Sequence, residues 1–197
     1  MTSHPVATDL TAKARIRIAA LELFAEHGAP AATMRKVAER AGVTVGLVTH
    51  HYGSKEALRG AVDEYVVETF RAALDAVPVD TDARDVPAVR DRNVALMLLE
   101  NEALQKYVRR AYIEPADGRR GVLERLTDLT LAEVRQLRAD RIASTRRSET
   151  DQAMQVVIRQ LGAMLMQPLV DRLWAHLGED TSTPPMAHIT VERATGH

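Results

Sequence analysis

The sequence predicts an all-α fold. Ala, Arg and Leu are abundant while runs of β-branched residues are scarce, and apolar residues recur at helical spacing through most of the chain. Glycine, proline or a short polar residue punctuates each periodic stretch. A first helix is expected over about 9–27, where Ile16, Ala20, Leu23 and Phe24 fall on one face. Gly28 ends it and Pro30 opposes continuation. Two short helices follow within 33–52, capped by Thr33 and Thr44 and separated by Gly42. Ser54 then caps a long helix that carries Leu58, Val62, Tyr65, Val66 and Thr69 toward Val77, where Pro78 stops it.

Residues 78–87 are turn-rich and charged and read as a loop. Val89 and Leu96 to Leu99 predict a helix over 86–100. Asn101 is placed to cap another over 102–113, with Leu104, Val108, Tyr112 and Ile113 on it. Pro115, Gly118 and Gly121 mark a break. A helix over 119–143 is expected to bury Leu123, Leu126, Val134 and Leu137. The strongest apolar stripe of the body, Met154, Val157, Ile158, Leu161, Met164, Leu165, Leu169 and Leu173, lies in a helix over 151–177. Pro168 lacks the N–H that would bond the Met164 carbonyl, so a kink or break is expected there. From Gly178 onward the chain reads as a loop with a weak last helix or a frayed tail. The expectation is eight or nine helices and no strand.

At 197 residues the chain is long enough for a real core. It contains no cysteine, which excludes disulfides, thiol catalysis and thiolate metal sites. No HExxH, GxSxG or phosphate-cradling glycine loop is present, and Glu100 and Glu102 sit two apart on different sides of a helix. These features point away from an enzyme and from any cofactor. No signal-peptide core or 18-residue apolar run appears, so a cytoplasmic protein without a membrane partner is expected. The net charge of -1 hides a small asymmetry: residues 1–60 hold eight Lys/Arg and five Asp/Glu, and the remainder 18 and 22. A slightly basic N-terminal part on an acidic body suits a polyanionic partner.

The stretch 33–58, TMRKVAERAGVTVGLVTHHYGSKEAL, carries the functional signal. Val37, Ala38 and Ala41 give its first helix an apolar face, and Val48 and Tyr52 stand four apart on its second. Such a unit can lay its second helix in a DNA major groove while the first braces against the backbone. The stretch resembles the helix-turn-helix of TetR-family transcriptional regulators. The matching residues are Thr33, Val37, Ala38, the turn Ala41-Gly42-Val43-Thr44, Gly46, His51, Tyr52 and Ser54-Lys55-Glu56-Ala57-Leu58. ARIRIAALELFAEHG is also similar to the family's first helix. The resemblance is motif-specific to about residue 60, and beyond that it rests on helix count and length.

The resemblance implies three regions: a three-helix helix-turn-helix DNA-binding domain over 9–55, a helical effector-binding and dimerisation domain over 56–180, and a weakly structured tail over 181–197. Carried over position by position, the groove-facing residues are Thr44, Val45, Gly46, Leu47, Thr49 and His50. Thr33 and Arg35 match positions that touch backbone and sometimes a base, and His51 and Lys55 match backbone-contacting positions. Arg35 suits a bidentate contact to guanine, with a simple phosphate contact equally open. Lys55 also sits in the first turn of the long helix, where free N–H groups favour a phosphate. Adjacent His50 and His51 point in different directions on a helix and do not make a metal site.

The sequence departs from the family's common pattern at two places. Thr49 and Val45 stand where a tyrosine and a lysine are common, which predicts a more apolar groove surface, with Val45 and Leu47 able to meet thymine methyls. The resemblance also implies a homodimer on a palindromic operator, with helices 119–143 and 151–177 across the two-fold axis. A small-molecule effector is expected in the body, with Met97, Asn101, Tyr112, Met164 and Trp174 as candidate contacts. With few aromatics available, an aliphatic or mixed molecule fits better than a large planar one. The function so predicted is a repressor released by its effector. The alternatives are a DNA-binding regulator or structural protein without an effector, and a small helical enzyme.

Overall fold

The computed structural model describes residues 12–114 and 120–177, together with 185, 187 and 189. Among these there are eight helices and no strand: α1 (Ala12–Ala31), α2 (Met34–Ala41), α3 (Val45–Tyr52), α4 (Lys55–Asp75), α5 (Val86–Glu100), α6 (Glu102–Ile113), α7 (Val122–Ala139) and α8 (Glu149–His176). The ranges of α5 and α6 are those read from the sequence. The first residues of the chain, the 115–119 break and most of the segment after 177 lie outside the described residues.

Four local expectations need correction. Gly28 does leave helical geometry (φ 79, ψ 158), yet a helical turn resumes at once and carries Pro30. Proline is tolerated there because the first N–H groups of a helical turn have no internal acceptor. α4 ends at Asp75, ahead of Pro78. Asn101 precedes α6 but makes no capping bond; its Nδ2 instead donates to the Met97 carbonyl at 2.7 Å. α8 runs without interruption through Pro168, so the expected break is absent, although proline supplies no N–H at that step.

The described residues form two compact units. One contains the residues up to Phe70 together with Met97–Val122; the other contains Arg71–Leu96 and the residues from Leu123 onward. In the first, α1 packs against α2, α3 and α6. Ile16, Ala20, Leu23 and Phe24 are buried on the face their spacing predicts. α4 adds Leu58, Val62, Val66 and Phe70 to that core, and α6 adds Leu104, Tyr107 and Val108. Tyr112 and Ile113, expected on the apolar side of α6, are exposed. Tyr107 takes the inner position, its ring 6.4 Å from that of Phe24 and its hydroxyl donating to Asp63 Oδ1 at 2.6 Å. Desolvation and the Asp63 carboxylate both raise the Tyr107 pKa, so the hydroxyl keeps the proton that it donates. Arg110 reaches the end of α1, donating from Nε to the Ala25 carbonyl (3.2 Å) and from Nη2 to that of Glu26 (3.0 Å).

In the second unit, Leu126, Leu129 and Val134 of α7 are buried, as are Val94 of α5 and Ala153, Leu161 and Met164 of α8. Arg90 pairs with Glu133 at 2.9 Å, and both side chains are less than a fifth exposed. Asp91 accepts from Arg159 (2.6 Å) and Gln160 (3.0 Å). The apolar stripe of α8 is only partly covered: Met154 is 42% and Leu173 51% exposed.

The Asp63–Tyr107 bond gives a direct stability test. Tyr107→Phe leaves a buried carboxylate without this donor and is expected to destabilise the chain by about 1–3 kcal/mol in urea unfolding. Tyr112→Phe, at the exposed end of the same helix, is expected to stay within about 0.5 kcal/mol of the parent.

Candidate nucleic-acid interface

The site is built from short helices with defined ends. Thr33 Oγ1 accepts the Lys36 N–H at 3.2 Å and opens α2. Gly42 takes a left-handed conformation (φ 65, ψ 40), which lets the N–H groups of Gly42 and Val43 bond the Glu39 and Ala38 carbonyls at 3.2 and 3.0 Å. Thr44 Oγ1 accepts the Leu47 N–H at 3.2 Å to open α3, and the Gly53 N–H closes it on the Thr49 carbonyl at 2.8 Å. Ser54 Oγ accepts the Ala57 N–H at 3.1 Å and starts α4.

α2 is held to α1 by Arg40, which meets Glu22 and Glu26 at 3.1 Å each. The hydrogen bond from Arg40 holds the Glu26 carboxyl below its ordinary range, and the two carboxylates raise the Arg40 pKa in return. α3 is held by Val48, fully buried, and by Tyr52, whose hydroxyl donates to the Lys13 carbonyl at 2.7 Å. Burial raises the Tyr52 pKa against the opposing charge of Arg17.

With Val48 and Tyr52 turned inward, helical geometry turns the rest of α3 outward. Thr44, Val45, Gly46, Thr49 and His50 are exposed, and Leu47 and His51 are half-buried. Thr49 Oγ1 donates to the Val45 carbonyl at 3.1 Å, so it must rotate before donating elsewhere. The His50 and His51 rings stand edge to face, 5.4 Å between centroids. Among the described residues, no group of three or more His, Asp or Glu is placed to hold a metal ion.

On α2, Thr33 and Arg35 are exposed, and Arg35 Nε pairs with Glu39 at 3.1 Å. Lys55 is half-buried and donates from Nζ to the Pro30 carbonyl at 3.0 Å. Lys36, to which the sequence reading gave no role, donates in the same way to the Ala31 carbonyl at 3.2 Å. Its signal in the sequence was only a basic residue beside Arg35.

The candidate effector contacts divide between the units. Met97, Asn101 and Tyr112 belong to the first unit, Met164 and Trp174 to the second. Met164 is buried, Met97 and Trp174 are half-buried, and Asn101 and Tyr112 are exposed. Tyr112 is 37% exposed, and the partial desolvation of its ring pushes the hydroxyl up to about 12. An open depression of about 670 Å³, lined by Pro78, Asp82, Asp85, Val89 and Arg92 among others, contains none of these five. No helix among the described residues is long and apolar enough to cross a membrane.

Residues 16–62 match the family described as bacterial regulatory proteins, tetR family. The chain is 50% identical over 74 residues to the HTH-type transcriptional regulatory protein RaaS of Mycobacterium tuberculosis, covering 38% of this chain and 34% of RaaS. An HTH-type transcriptional repressor of the same organism is 45% identical over 53 residues, 27% of this chain and 28% of the repressor. The chain thus spans only about a third of the length of these two relatives. The fold is similar over more of its length to a crystal structure of a tetR family transcription regulator from Shewanella sp. PV-4. That match has a TM-score of 0.67 at 21% identity and covers 86% of this chain and 92% of the other.

Two glycines test the backbone argument with opposite signs. A Cβ at Gly42 meets nothing within 4 Å, so Gly42→Ala carries only the left-handed backbone cost and is expected to lose about 1–2 kcal/mol. Gly60, inside α4 and equally open, is expected to gain about 0.5–1 kcal/mol as Gly60→Ala. Thermal melts of the two variants check both signs.

Proposed function

We propose that this chain, a member of the TetR family of bacterial regulatory proteins by its N-terminal domain, is a homodimeric transcriptional repressor that a small-molecule effector releases from a palindromic DNA operator. The observation that carries the reading is the two-sided character of α3. Val48 and Tyr52 anchor one side, and the other offers a continuous exposed surface from a helix thin enough for the major groove.

On that surface Thr44, Val45, Gly46, Leu47, Thr49 and His50 face the bases. Val45 and Leu47 supply apolar contact to thymine methyls, and the Thr49 hydroxyl bonds a base or phosphate after leaving the Val45 carbonyl. Arg35 contacts guanine through the guanidinium edge that its Nε bond to Glu39 leaves open. Thr33, His51 and Lys55 hold the DNA backbone; Lys55 spends one of three ammonium protons on Pro30 and keeps two.

Residues 9–55 act in this reading as the reading head, and residues 56–180 as the effector and dimerisation body in the cytoplasm. The half-covered stripe of α8, with Met154 and Leu173 exposed in the single chain, supports a second copy packed against α7 and α8. Met97, Asn101 and Tyr112 in one unit, and Met164 and Trp174 in the other, are each proposed as effector contacts. Release requires that the effector bind more tightly to the conformation that does not fit the operator.

The test is fluorescence anisotropy of the chain on duplex DNA flanking its own coding region. Arg35→Ala, with an unchanged melting curve, is expected to weaken specific binding by about 5–150-fold per half-site, the range for loss of one bidentate base contact. Equal affinity for this DNA and scrambled DNA in the parent would contradict the reading. Gel filtration is expected to show twice the monomer mass at micromolar concentration, and elution at the monomer mass would remove the dimer.

A further inference from the structure

We propose that Lys36 is a second DNA-backbone contact in each reading head, and that with Lys55 it forms a paired-lysine phosphate seat beside the turn that ends α1. The inference rests on the DNA-binding reading above and adds a residue that neither the motif nor the family pattern singled out.

The cations of the head are neutralised in two ways. Arg40 is held between Glu22 and Glu26, and Arg35 has Glu39. A phosphate approaching either must compete with a carboxylate already in place. Lys36 and Lys55 differ: each is bonded to a main-chain carbonyl, Ala31 at 3.2 Å and Pro30 at 3.0 Å, and no carboxylate pairs with either among the described residues. A carbonyl dipole orients an ammonium group without cancelling its charge. Each ammonium group is thus oriented by a carbonyl and not paired with a carboxylate.

The two carbonyls belong to consecutive residues of one helical turn, so their oxygens point in a common direction along its axis. Each ammonium group is therefore drawn to the end of that turn, Lys36 from α2 and Lys55 from the start of α4. Helix-terminal carbonyls attract cations, which explains why the lysines fold back there. Each ammonium uses one proton on its carbonyl and has two for another acceptor. Two like charges drawn together repel, and a phosphodiester beside them relieves that repulsion. Lys36 lies in the first turn of α2, the turn that Thr33 caps and that also carries Arg35.

A purely structural role predicts something different. If the lysines only cap α1, what matters is an N–H donor at the carbonyl, and charge does not. Lys36→Gln keeps a donor and removes the charge; Lys36→Arg keeps both. Affinity for the duplex flanking the chain's own coding region, and for a scrambled duplex, is measured by anisotropy across a salt series. The expected result is a slope of log affinity against log salt shallower by about 1 per protomer for Lys36→Gln, on both duplexes, because phosphate contacts carry no sequence information.

Lys55→Gln is expected to match it and Lys36→Arg to keep the parent slope. Lys106→Gln, whose lysine pairs with Glu102 on α6, is expected to change nothing. An unchanged slope in Lys36→Gln with the parent still bound to DNA would overturn the phosphate seat and leave the DNA-binding reading standing. Loss of binding in Lys36→Arg as well as Lys36→Gln, with lowered melting temperatures in both, would likewise overturn it in favour of a structural cap. A parent that binds neither duplex would overturn the DNA-binding reading, and the seat with it.

Discussion

An eight-residue helix is too short to persist in water by its own hydrogen bonds, because the cost of nucleating it is not recovered over two turns. α3 exists as a helix because other parts of the chain hold it: Thr44 at its start, Gly53 at its end, and Val48 and Tyr52 in the core behind it. The Tyr52 hydroxyl reaches the Lys13 carbonyl, 39 residues away, and fixes the rotation of α3 about its own axis. That rotation decides which side chains face outward. The proposed reading surface therefore depends on the inward pair as much as on the exposed residues themselves.

The end of α1 is the second point where this unit is held together. Arg110 of α6 bonds the carbonyls of Ala25 and Glu26, while Lys55 and Lys36 bond those of Pro30 and Ala31. Carbonyls at a helix end lack internal donors and carry partial negative charge, so they collect cations from whatever packs nearby. Gly28 belongs to this arrangement: a Cβ there would stand 2.9 Å from a Glu114 carboxylate oxygen and 3.3 Å from Arg110. Its positive φ and its lack of a side chain allow α6 to lie this close to α1.

What could be read from the sequence was what local chemistry determines. Thr33, Thr44 and Ser54 cap as their positions suggest, and Gly42 makes the turn. Asn101 shows the limit of this reasoning. Its amide found the last turn of the preceding helix and donates to Met97, an option as close in sequence as the cap. Pro168 shows another limit, since a 28-residue helix packed along its length can carry one missing hydrogen bond. Tyr107 and Arg110 were missed because their partners, Asp63 and Ala25, are 44 and 85 residues away. Lys36 shows a different limit: its partner Ala31 is only five residues away, but it lies in the helical turn that resumes after Gly28, where no helix was expected.

In the proposed function the outward side of α3 reads a palindromic DNA site in a dimer. Footprinting of the chain on the DNA flanking its own coding region tests this most directly. Two protected half-sites related by a two-fold axis are expected, with centres one helical turn (about 34–36 Å) or a multiple apart. Protection that is uniform along the duplex, or confined to one unpaired half-site at saturating protein, would contradict it.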